Sequence, residues 1–277
     1  MVKVDLAAQT HRGHFKSLNE DHFLALRFGR SLETLSSNIT ESDLETSFNE
    51  VGYGMVVADG MGGRTAGDLA SLTALIKLVE LVVNTPDWVL NVDRRENMST
   101  VMQRMTQRFR HIDDELRETV QQNHNLLGMG TTLTMALSLG SILLIGHIGD
   151  SRAYLLRNGR LHQLTRDDTL AQALIDAGIA DPDDTATRAM RHVLTAAIGS
   201  TSEPVDPQVK RVHLNHGDQI LLCTDGLTGM VRDDVIAATL RQATSADEAC
   251  RNLVDLALSA GGVDNVTTVL ARYQFPL

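Results

Sequence analysis

One local pattern recurs along the chain and constrains its fold more than any other feature. An apolar run ends in an aspartate with a small residue beside it, at Ala58-Asp59-Gly60, Gly149-Asp150-Ser151 and Thr224-Asp225-Gly226. Asp264 directly precedes one further apolar run. Aspartates at strand ends can converge at one edge of a sheet, and glycine lets the backbone approach a ligand closely. The pattern therefore predicts a shared site at a sheet edge.

The residue types in this pattern indicate which ligand the site would take. Asn19-Glu20-Asp21 adds two carboxylates at another predicted strand start. Carboxylate oxygens suit hard cations such as Mg²⁺ and Mn²⁺ rather than zinc, and several of them repel one another unless a cation neutralises them. Each Asp-Gly pair alone also fits an ordinary turn. Turn chemistry explains the whole set less well than a metal site does.

Composition limits the class of protein. The chain has 277 residues, 43% of them apolar, which favours one large domain over residues 1–277. A net charge of −10 argues against nucleic acid as a partner. Cys223 and Cys250 fit no paired metal spacing, and residues 1–10 lack the pattern of a signal peptide. We therefore expect a cytoplasmic, monomeric protein that is not inserted in a membrane.

The uncharged segment 125–149 has two interpretations. It contains no Lys, Arg, Asp or Glu and is long enough for a membrane helix. However, five glycines interrupt it, and Gly140-Ser141 divides two short apolar runs. The segment is therefore predicted to form two buried strands, 131–139 and 142–148, of a hairpin.

The remaining pattern predicts a mixed fold. Helical spacing of Leu69, Leu72, Ile76, Val79 and Val83 indicates a helix over residues 66–83, and a second helix contains residues 98–120. Residues 30–50 are interpreted as a surface insertion and residues 165–192 as a flap region, in which 181–190 is expected to be irregular. The other predicted strands are at residues 5–8, 21–28, 53–58, 153–156, 219–224 and 266–272. The strands fall in two runs, with helices between the runs and after the second. This order favours the α+β class over a doubly wound sheet.

Seven short motifs occur in the order found in one known family. They are Asn19-Glu20-Asp21, Asp59-Gly60-Met61-Gly62-Gly63, Gly130-Thr131-Thr132, Gly149-Asp150-Ser151-Arg152, Leu164-Thr165, Thr224-Asp225-Gly226-Leu227 and Asp264-Asn265. Over nearly its whole length the chain resembles the metal-dependent protein phosphatases of the 2C type, most closely the bacterial members. The resemblance implies a central sandwich of two mostly antiparallel sheets flanked by helices on both sides, with metals at one end.

The resemblance also implies roles for single residues. Asp59 would bridge two Mn²⁺ or Mg²⁺ ions, the Gly60 carbonyl would bind one of them, and Asp225 and Asp264 the other. Asp150, together with Asp225, would hold a weaker third ion. Glu20, Asp21 and Asn265 would lie around these ligands and act on the metals mainly through bound water. A hydroxide between the two metals would attack phosphorus directly in phosphoserine or phosphothreonine.

Three positions depart from the family pattern. Lys16 stands where an arginine usually binds the substrate phosphate, and lysine lacks the bidentate fork of arginine. Arg12, from the same loop, is the alternative phosphate contact. Arg64 replaces a histidine usual in bacterial members and is either a solvated residue at a helix start or a second phosphate contact. Met61 replaces the histidine proposed as general acid in animal members, so the general acid is unassigned.

Other functions are weighed against the phosphatase. Asp181-Pro182-Asp183-Asp184-Thr185 fits the motif of phosphatases with an aspartyl nucleophile, but no apolar strand precedes it. A pseudophosphatase that binds a phosphoprotein or kinase without turnover is the main alternative, motivated by Lys16 and Arg64. The expected partners are phosphorylated proteins, the substrates of a bacterial Ser/Thr kinase. Arg188 and Arg191 are interpreted as surface charge, with contact to acidic or phosphorylated substrates as the alternative.

Overall fold

The architecture consists of two antiparallel β-sheets packed face to face. A computed structural model of the chain describes residues 2–36, 47–62, 66–84, 95–182, 184–200 and 204–276. The first sheet has the order β1 (Lys3–His11), β11 (Val266–Gln274), β10 (Gln219–Cys223), β7 (Arg152–Arg157) and β8 (Arg160–Gln163). The second has the order β2 (Asp21–Glu33), β3 (Ser47–Met61), β5 (Leu133–Leu139), β6 (Ile142–Ile148) and β9 (Gln208–His213), and the two-residue β4 (Gly130–Thr131) pairs with β3.

Helices cover the outer face of each sheet. On the second sheet lie α1 (Ala66–Asn84) and α2 (Arg95–Gln122), with a short 3₁₀ helix at His124–Leu126. On the first sheet lie α6 (Asp233–Gln242) and α7 (Ala246–Ser259), preceded by the single turn α5 (Asp225–Thr228). Between β8 and β9 lie α3 (Leu170–Asp176) and α4 (Thr185–Ala189). The helix–sheet–sheet–helix layering confirms the predicted α+β class.

Three apolar cores hold these layers together. One lies between the two sheets and joins residues such as Val57 of β3 and Val269 of β11. The other two lie under the helices, one beneath α1 and α2 and one beneath α6 and α7. Every residue of β6 is buried, because this strand has a helix layer on one face and the other sheet on the other.

The uncharged segment 125–149 is not a membrane helix. Strands β5 and β6 pair antiparallel over seven residue pairs and turn at Gly140, whose φ of 56° favours glycine. Within the part of the chain that the structure describes, no helix has the length and apolar character needed to cross a bilayer. The predicted hairpin is therefore confirmed.

Helix α1 is confirmed, but its periodic large residues lie on the outside. Leu69, Leu72, Ile76 and Val83 are exposed. The face against the sheet is made mostly of small residues, Ala66, Gly67, Ala70, Ser71 and Ala74, with Leu75 and Leu78. Small side chains allow the helix to approach the sheet closely, so periodicity identified the helix but not its buried side.

The predicted surface insertion and the predicted flap region both contain regular structure. Strands β2 and β3 pair as far as Glu33 and Ser47, so both ends of segment 30–50 are strand; residues 37–46 lie outside the described residues. The segment 165–192, which we call the flap, contains α3 and α4, so the expectation that 181–190 is irregular was wrong. The flap is tied at its base to the β6–β7 turn, where Asp168 N–H donates to the Gly149 carbonyl at 2.7 Å.

Candidate active site

The strand-end aspartates come together at one edge of the sandwich. Asp59 lies near the end of β3 and faces Asp21 of β2 in register. Asp225 opens α5 directly after β10, and Asp150 lies in the turn between β6 and β7. Asp264 immediately precedes β11. The charges of Asp21, Asp225, Asp150 and Asp264 all act on the carboxyl of Asp59, so these five carboxyl groups are near enough to interact electrostatically.

Burial and mutual repulsion perturb the acidity of this cluster. Burial, then the charges of Asp21 and Asp225, raise the pKa of Asp59 well above its usual range. Burial, then the charge of Asp225, raises the pKa of Asp150 to about 7. Burial also raises the pKa of Asp21 to about 7, against two hydroxyl donors that favour its ionised form. Such a cluster favours a bound cation, because a cation removes the repulsion between the carboxylates.

Thr267 of β11 and Thr224, which directly follows β10, orient Asp21. The hydroxyls of Thr224 and Thr267 donate to its Oδ2 atom at 2.8 and 2.7 Å. Thr10 lies 2.7 Å from the Thr267 hydroxyl and extends this chain of hydrogen bonds to β1. The second carboxylate oxygen of Asp21, Oδ1, is buried and has no hydrogen-bond partner among the described residues. This oxygen is positioned to accept from a water or to face a cation.

Glu20 lies where β2, β3 and the start of α1 meet. Its Oε1 is the second buried carboxylate oxygen that lacks a hydrogen-bond partner among the described residues. Gly60 N–H donates to the Glu20 carbonyl at 3.1 Å, and a Cβ on Gly60 would meet the Gly67 carbonyl oxygen at 2.0 Å. Glycine is therefore required at position 60, where the strand passes against the first turn of α1.

Cationic side chains already contact two of the carboxylates. Lys16 Nζ lies 2.6 Å from Asp264 Oδ1. Burial lowers the pKa of Lys16, but the hydrogen bond to Asp264 and the nearby carboxylates outweigh burial and raise it. On the opposite side, His192 of the flap lies 3.4 Å from Asp225 Oδ2, and this hydrogen bond raises the pKa of the imidazole. Lys16 thus supplies positive charge at Asp264, and His192 supplies it at Asp225 when its imidazole is protonated.

Asn265 holds the loop that carries Lys16. Its side-chain amide donates to the carbonyls of Arg12 and Leu18 at 2.8 and 2.9 Å, and its Oδ1 accepts from Glu20 N–H at 2.8 Å. The side chain is buried. Asn265 therefore fixes both the Lys16 loop and the start of β2, which is a more structural role than the sequence suggested.

The other predicted phosphate contacts are placed differently. The Arg12 guanidinium donates to the Ser17 carbonyl at 3.4 Å and so lies along its own loop. Arg64 lies outside the described residues. His147 is a packed strand residue, since its ring contacts the Thr134 hydroxyl and the Arg166 carbonyl and burial lowers its pKa to about 4.

Sequence reasoning missed several residues that build this site. Thr267 follows Asp264 by three positions, and its alternation with Val266 was the only signal that it points toward Asp21. Thr132 is a further case, because its hydroxyl accepts from the Asp59 N–H at 3.0 Å and contacts Ser151 at 2.8 Å. His192 has no sequence signal at all, since it reaches Asp225 only through the folding of the flap.

The donor set fits divalent metal ions of the hard type. It offers carboxylate oxygens and two buried oxygens that lack partners, which suit Mg²⁺ or Mn²⁺. Within the described residues, however, no three His, Cys, Asp or Glu side chains are grouped closely enough to form a ready-made ligand cage.

Comparison with known proteins defines the class. The sequence pattern of the protein phosphatase 2C family matches residues 41–259, which is most of the chain. The chain belongs to the protein phosphatase 2C family, as its motifs predicted.

Individual relatives agree with this assignment. The serine/threonine protein phosphatase PstP of Mycobacterium tuberculosis is 37% identical over 217 residues, which are 78% of this chain and 40% of that relative. Protein phosphatase PhpP of Streptococcus pneumoniae is 33% identical over 223 residues, 80% of this chain and 87% of that relative.

Solved structures share the fold over the full chain. The crystal structure of the M. tuberculosis phosphatase PstP/Ppp superimposes with a TM-score of 0.78 at 31% identity, covering 99% of this chain and 100% of that one. The catalytic domain of PstP in complex with two manganese ions gives a TM-score of 0.76 at 31% identity, covering 99% of this chain and 100% of that one.

Proposed function

We propose that this chain is a protein serine/threonine phosphatase that depends on Mn²⁺ or Mg²⁺. The convergence of Asp59, Asp225 and Asp264 at one sheet edge, in a chain of this family, carries the proposal. Metal dependence is supported by the unpartnered carboxylate oxygens of the site and by the manganese in the PstP catalytic domain.

We assign the metal ligands as follows. Asp59 would be the central ligand, because the charges of Asp21, Asp225, Asp150 and Asp264 all raise its pKa and a cation there would relieve this repulsion. Asp225 and Asp264 hold one ion, and the carbonyl of Gly60 contributes to the other. Asp150, which is coupled by charge to Asp225, is the ligand for a third and weaker ion. Such ions, when bound, lower the pKa of water and offset the charge of the phosphoryl group.

The protein's own residues bind and orient the phosphate group. Lys16 lies within hydrogen-bond distance of Asp264, so its ammonium group is near enough to the centre to contact a phosphate bound there. Glu20 and Asp21 present their unpartnered oxygens to water, and Asn265 keeps their strand in place. Because the ammonium group of Lys16 lacks the bidentate fork of arginine, we expect Lys16 to bind phosphate more weakly than an arginine would.

The substrates we propose are phosphorylated proteins. The relatives carry names of protein phosphatases, and the site opens on the molecular surface beside exposed residues such as Lys16 and His192. An open site admits a phosphorylated residue on a folded protein. A bacterial Ser/Thr kinase would supply such substrates.

The test is phosphate release from a phosphothreonine peptide with and without Mn²⁺, for the native protein and Asp59→Asn. We expect release that depends on the metal and falls by at least about a hundredfold in the variant. The variant's thermal unfolding must match the native protein's, so that loss of activity is not loss of fold.

The opposite result would favour the pseudophosphatase. A well-folded native protein that releases no phosphate over a range of Mn²⁺ and Mg²⁺ concentrations, yet binds the peptide, would refute turnover. The completeness of the carboxylate set argues for the enzyme, because binding alone does not require five clustered aspartates.

A further inference from the structure

A buried carboxylate on α2 lies outside the aspartate cluster and has no part in the chemistry proposed above. Asp113, in the C-terminal half of α2, is 0% exposed, whereas the adjacent Asp114 is on the surface. Burial of a carboxylate is costly unless hydrogen bonds and an opposite charge replace its water. The partners of Asp113 therefore indicate what this side chain does.

Both oxygens of Asp113 hold the chain that follows the flap. Oδ1 accepts from the Gly199 N–H at 2.8 Å, and Oδ2 accepts from the Val205 N–H at 3.4 Å. Arg117, one turn later in α2, places its Nε atom 3.2 Å from Oδ2. The chain passes close against the helix, because a Cβ on residue 199 would meet the Leu116 Cβ at 2.9 Å. Asp113 thus ties the backbone at residues 199 and 205 to α2.

Ile198, which precedes this anchor point, connects it to the metal centre. Ile198 is buried and pairs with Thr131 of β4 through two backbone hydrogen bonds, at 3.0 and 2.9 Å. The Thr131 hydroxyl donates to the Asp59 carbonyl at 2.9 Å, and Thr131 is the partner of Gly60 in the β3–β4 ladder. A continuous path of hydrogen bonds and adjacent backbone therefore runs from α2 to the backbone of two proposed metal ligands.

We propose that Asp113 is a positioning residue for the metal centre. By fixing the chain beside β4, it keeps the backbone of Asp59 and Gly60 in the arrangement that a metal requires. The inference rests on the proposed metal-dependent phosphatase function. Four neighbouring aspartates repel the carboxylate of Asp59, so its backbone must be held for the side chain to stay directed at a metal. Loss of a group that orients metal ligands typically weakens metal binding by roughly 10- to 100-fold.

The neutral isostere of Asp113 is the most informative variant. In Asp113→Asn one carboxylate oxygen becomes an NH₂ group, which cannot accept from the Gly199 or Val205 N–H. The side chain keeps its shape, so the substitution removes hydrogen bonds without leaving a cavity. Any effect on the metal centre then follows from the lost anchor.

The test measures Mn²⁺ binding to Asp113→Asn by calorimetry and the exchange of the Thr131 and Ile198 amide hydrogens in the metal-free protein. We expect the Mn²⁺ dissociation constant to rise by about tenfold or more, and the two amides to exchange faster by a similar factor. Neither readout requires turnover. A native protein that binds Mn²⁺ but releases no phosphate would therefore refute the phosphatase and leave this inference standing.

Two control variants separate positioning from a loss of stability. Asp114→Asn makes the same chemical change at the exposed neighbour. Phe109→Leu loosens the buried face of α2 beside Gly146 of β6. At a temperature where all variants are folded, each control should change the Mn²⁺ dissociation constant by less than about twofold. An Asp113→Asn protein that is destabilised like Phe109→Leu, yet binds Mn²⁺ as the native protein does, would overturn the proposal.

A second pair of variants tests the path from its other end and does not depend on the folding of Asp113→Asn. Thr131→Val removes the hydroxyl that donates to Asp59, whereas Thr131→Ser keeps it. We expect Mn²⁺ binding to weaken by about tenfold in Thr131→Val and to stay near the native value in Thr131→Ser. Native affinity in both would refute the path. The double variant D113N/T131V should bind about as weakly as the weaker single variant, and effects that simply multiply would contradict a shared path.

Discussion

Removing the charge of Asp21 should stabilise the metal-free protein at pH 8. Asp21 is 4% exposed, and its Oδ2 accepts two threonine hydroxyls while its Oδ1 has no partner among the described residues. In Asp21→Asn the amide oxygen can still accept both hydroxyls. The substitution removes one negative charge from the cluster, where the charges of Asp225 and Asp264 act on Asp21. The repulsion is reduced, so the free energy of unfolding should rise.

The pKa of Asp21 gives the sign and size of the effect. It is raised from 3.8 to about 7, so the folded protein holds a proton that the unfolded chain releases. The resulting stability is fully present below about pH 4 and is lost as the pH rises through 7. For one such group, the change from pH 8 to pH 6 is worth ~1.4 kcal/mol, since one pKa unit corresponds to about 1.4 kcal/mol. The charge of Asp21 also raises the pKa of Asp59, so the effect belongs to the cluster.

Urea unfolding in EDTA at pH 6 and pH 8 measures this directly. The native protein should be more stable at pH 6 by ~1.4 kcal/mol or more, and Asp21→Asn should show a smaller difference because one carboxylate is gone. Saturating Mn²⁺ should remove the native difference. A variant that is less stable than the native protein at pH 8, or an equal pH dependence in both, would refute the reasoning about the cluster.

Three further variants test the surroundings of the site. Gly60→Ala should destabilise the fold and abolish activity, because its Cβ would lie 2.0 Å from the Gly67 carbonyl oxygen. Gly54→Ala in the same strand is the control and should be tolerated, because its Cβ would make only ordinary contacts, the nearest at 3.5 Å. Thermal unfolding and phosphate release are measured for both variants. Thr267→Val should cost ~1–3 kcal/mol in urea unfolding at pH 8, since it removes a donor to a buried carboxylate, and a cost below ~0.5 kcal/mol would contradict this. Ser245→Ala should cost ~1 kcal/mol with unchanged turnover, because Ser245 caps α7 far from the centre; a change in KM would show that the cap matters to the site.

Much of the architecture was readable from the sequence because local signals agreed with it. The hairpin over 125–149 was predicted from glycine spacing. Asn158-Gly159 is a dipeptide typical of two-residue hairpin turns and forms the β7–β8 turn, where both residues have positive φ. Ser245 and Glu248 have the spacing of a capping box, and Ser245 caps α7, although the Glu248 side chain contacts Thr244 instead of closing a full capping box. These features depend on neighbours in sequence.

Features that depend on distant neighbours were not readable. The exposed side of α1 carries Leu69, Leu72 and Ile76, because the sheet beneath it requires small residues, and no local pattern reveals which face meets the sheet. The hydrogen bonds from Thr224 and Thr267 to Asp21 join positions more than 200 residues apart. The contact of His192 with Asp225 likewise requires the flap to fold over the centre.

Titration of Mn²⁺ into the metal-free protein by calorimetry tests the central claim most directly. We predict two tight sites per chain in the native protein, with at least one lost in Asp264→Asn and both weakened in Asp59→Asn, the residue we propose as the central ligand. The rise in activity with Mn²⁺ should follow the filling of these sites. Phosphate release without any bound metal, or Mn²⁺ binding that is unchanged in both variants, would contradict the assignment of this carboxylate cluster as the metal centre of a phosphatase.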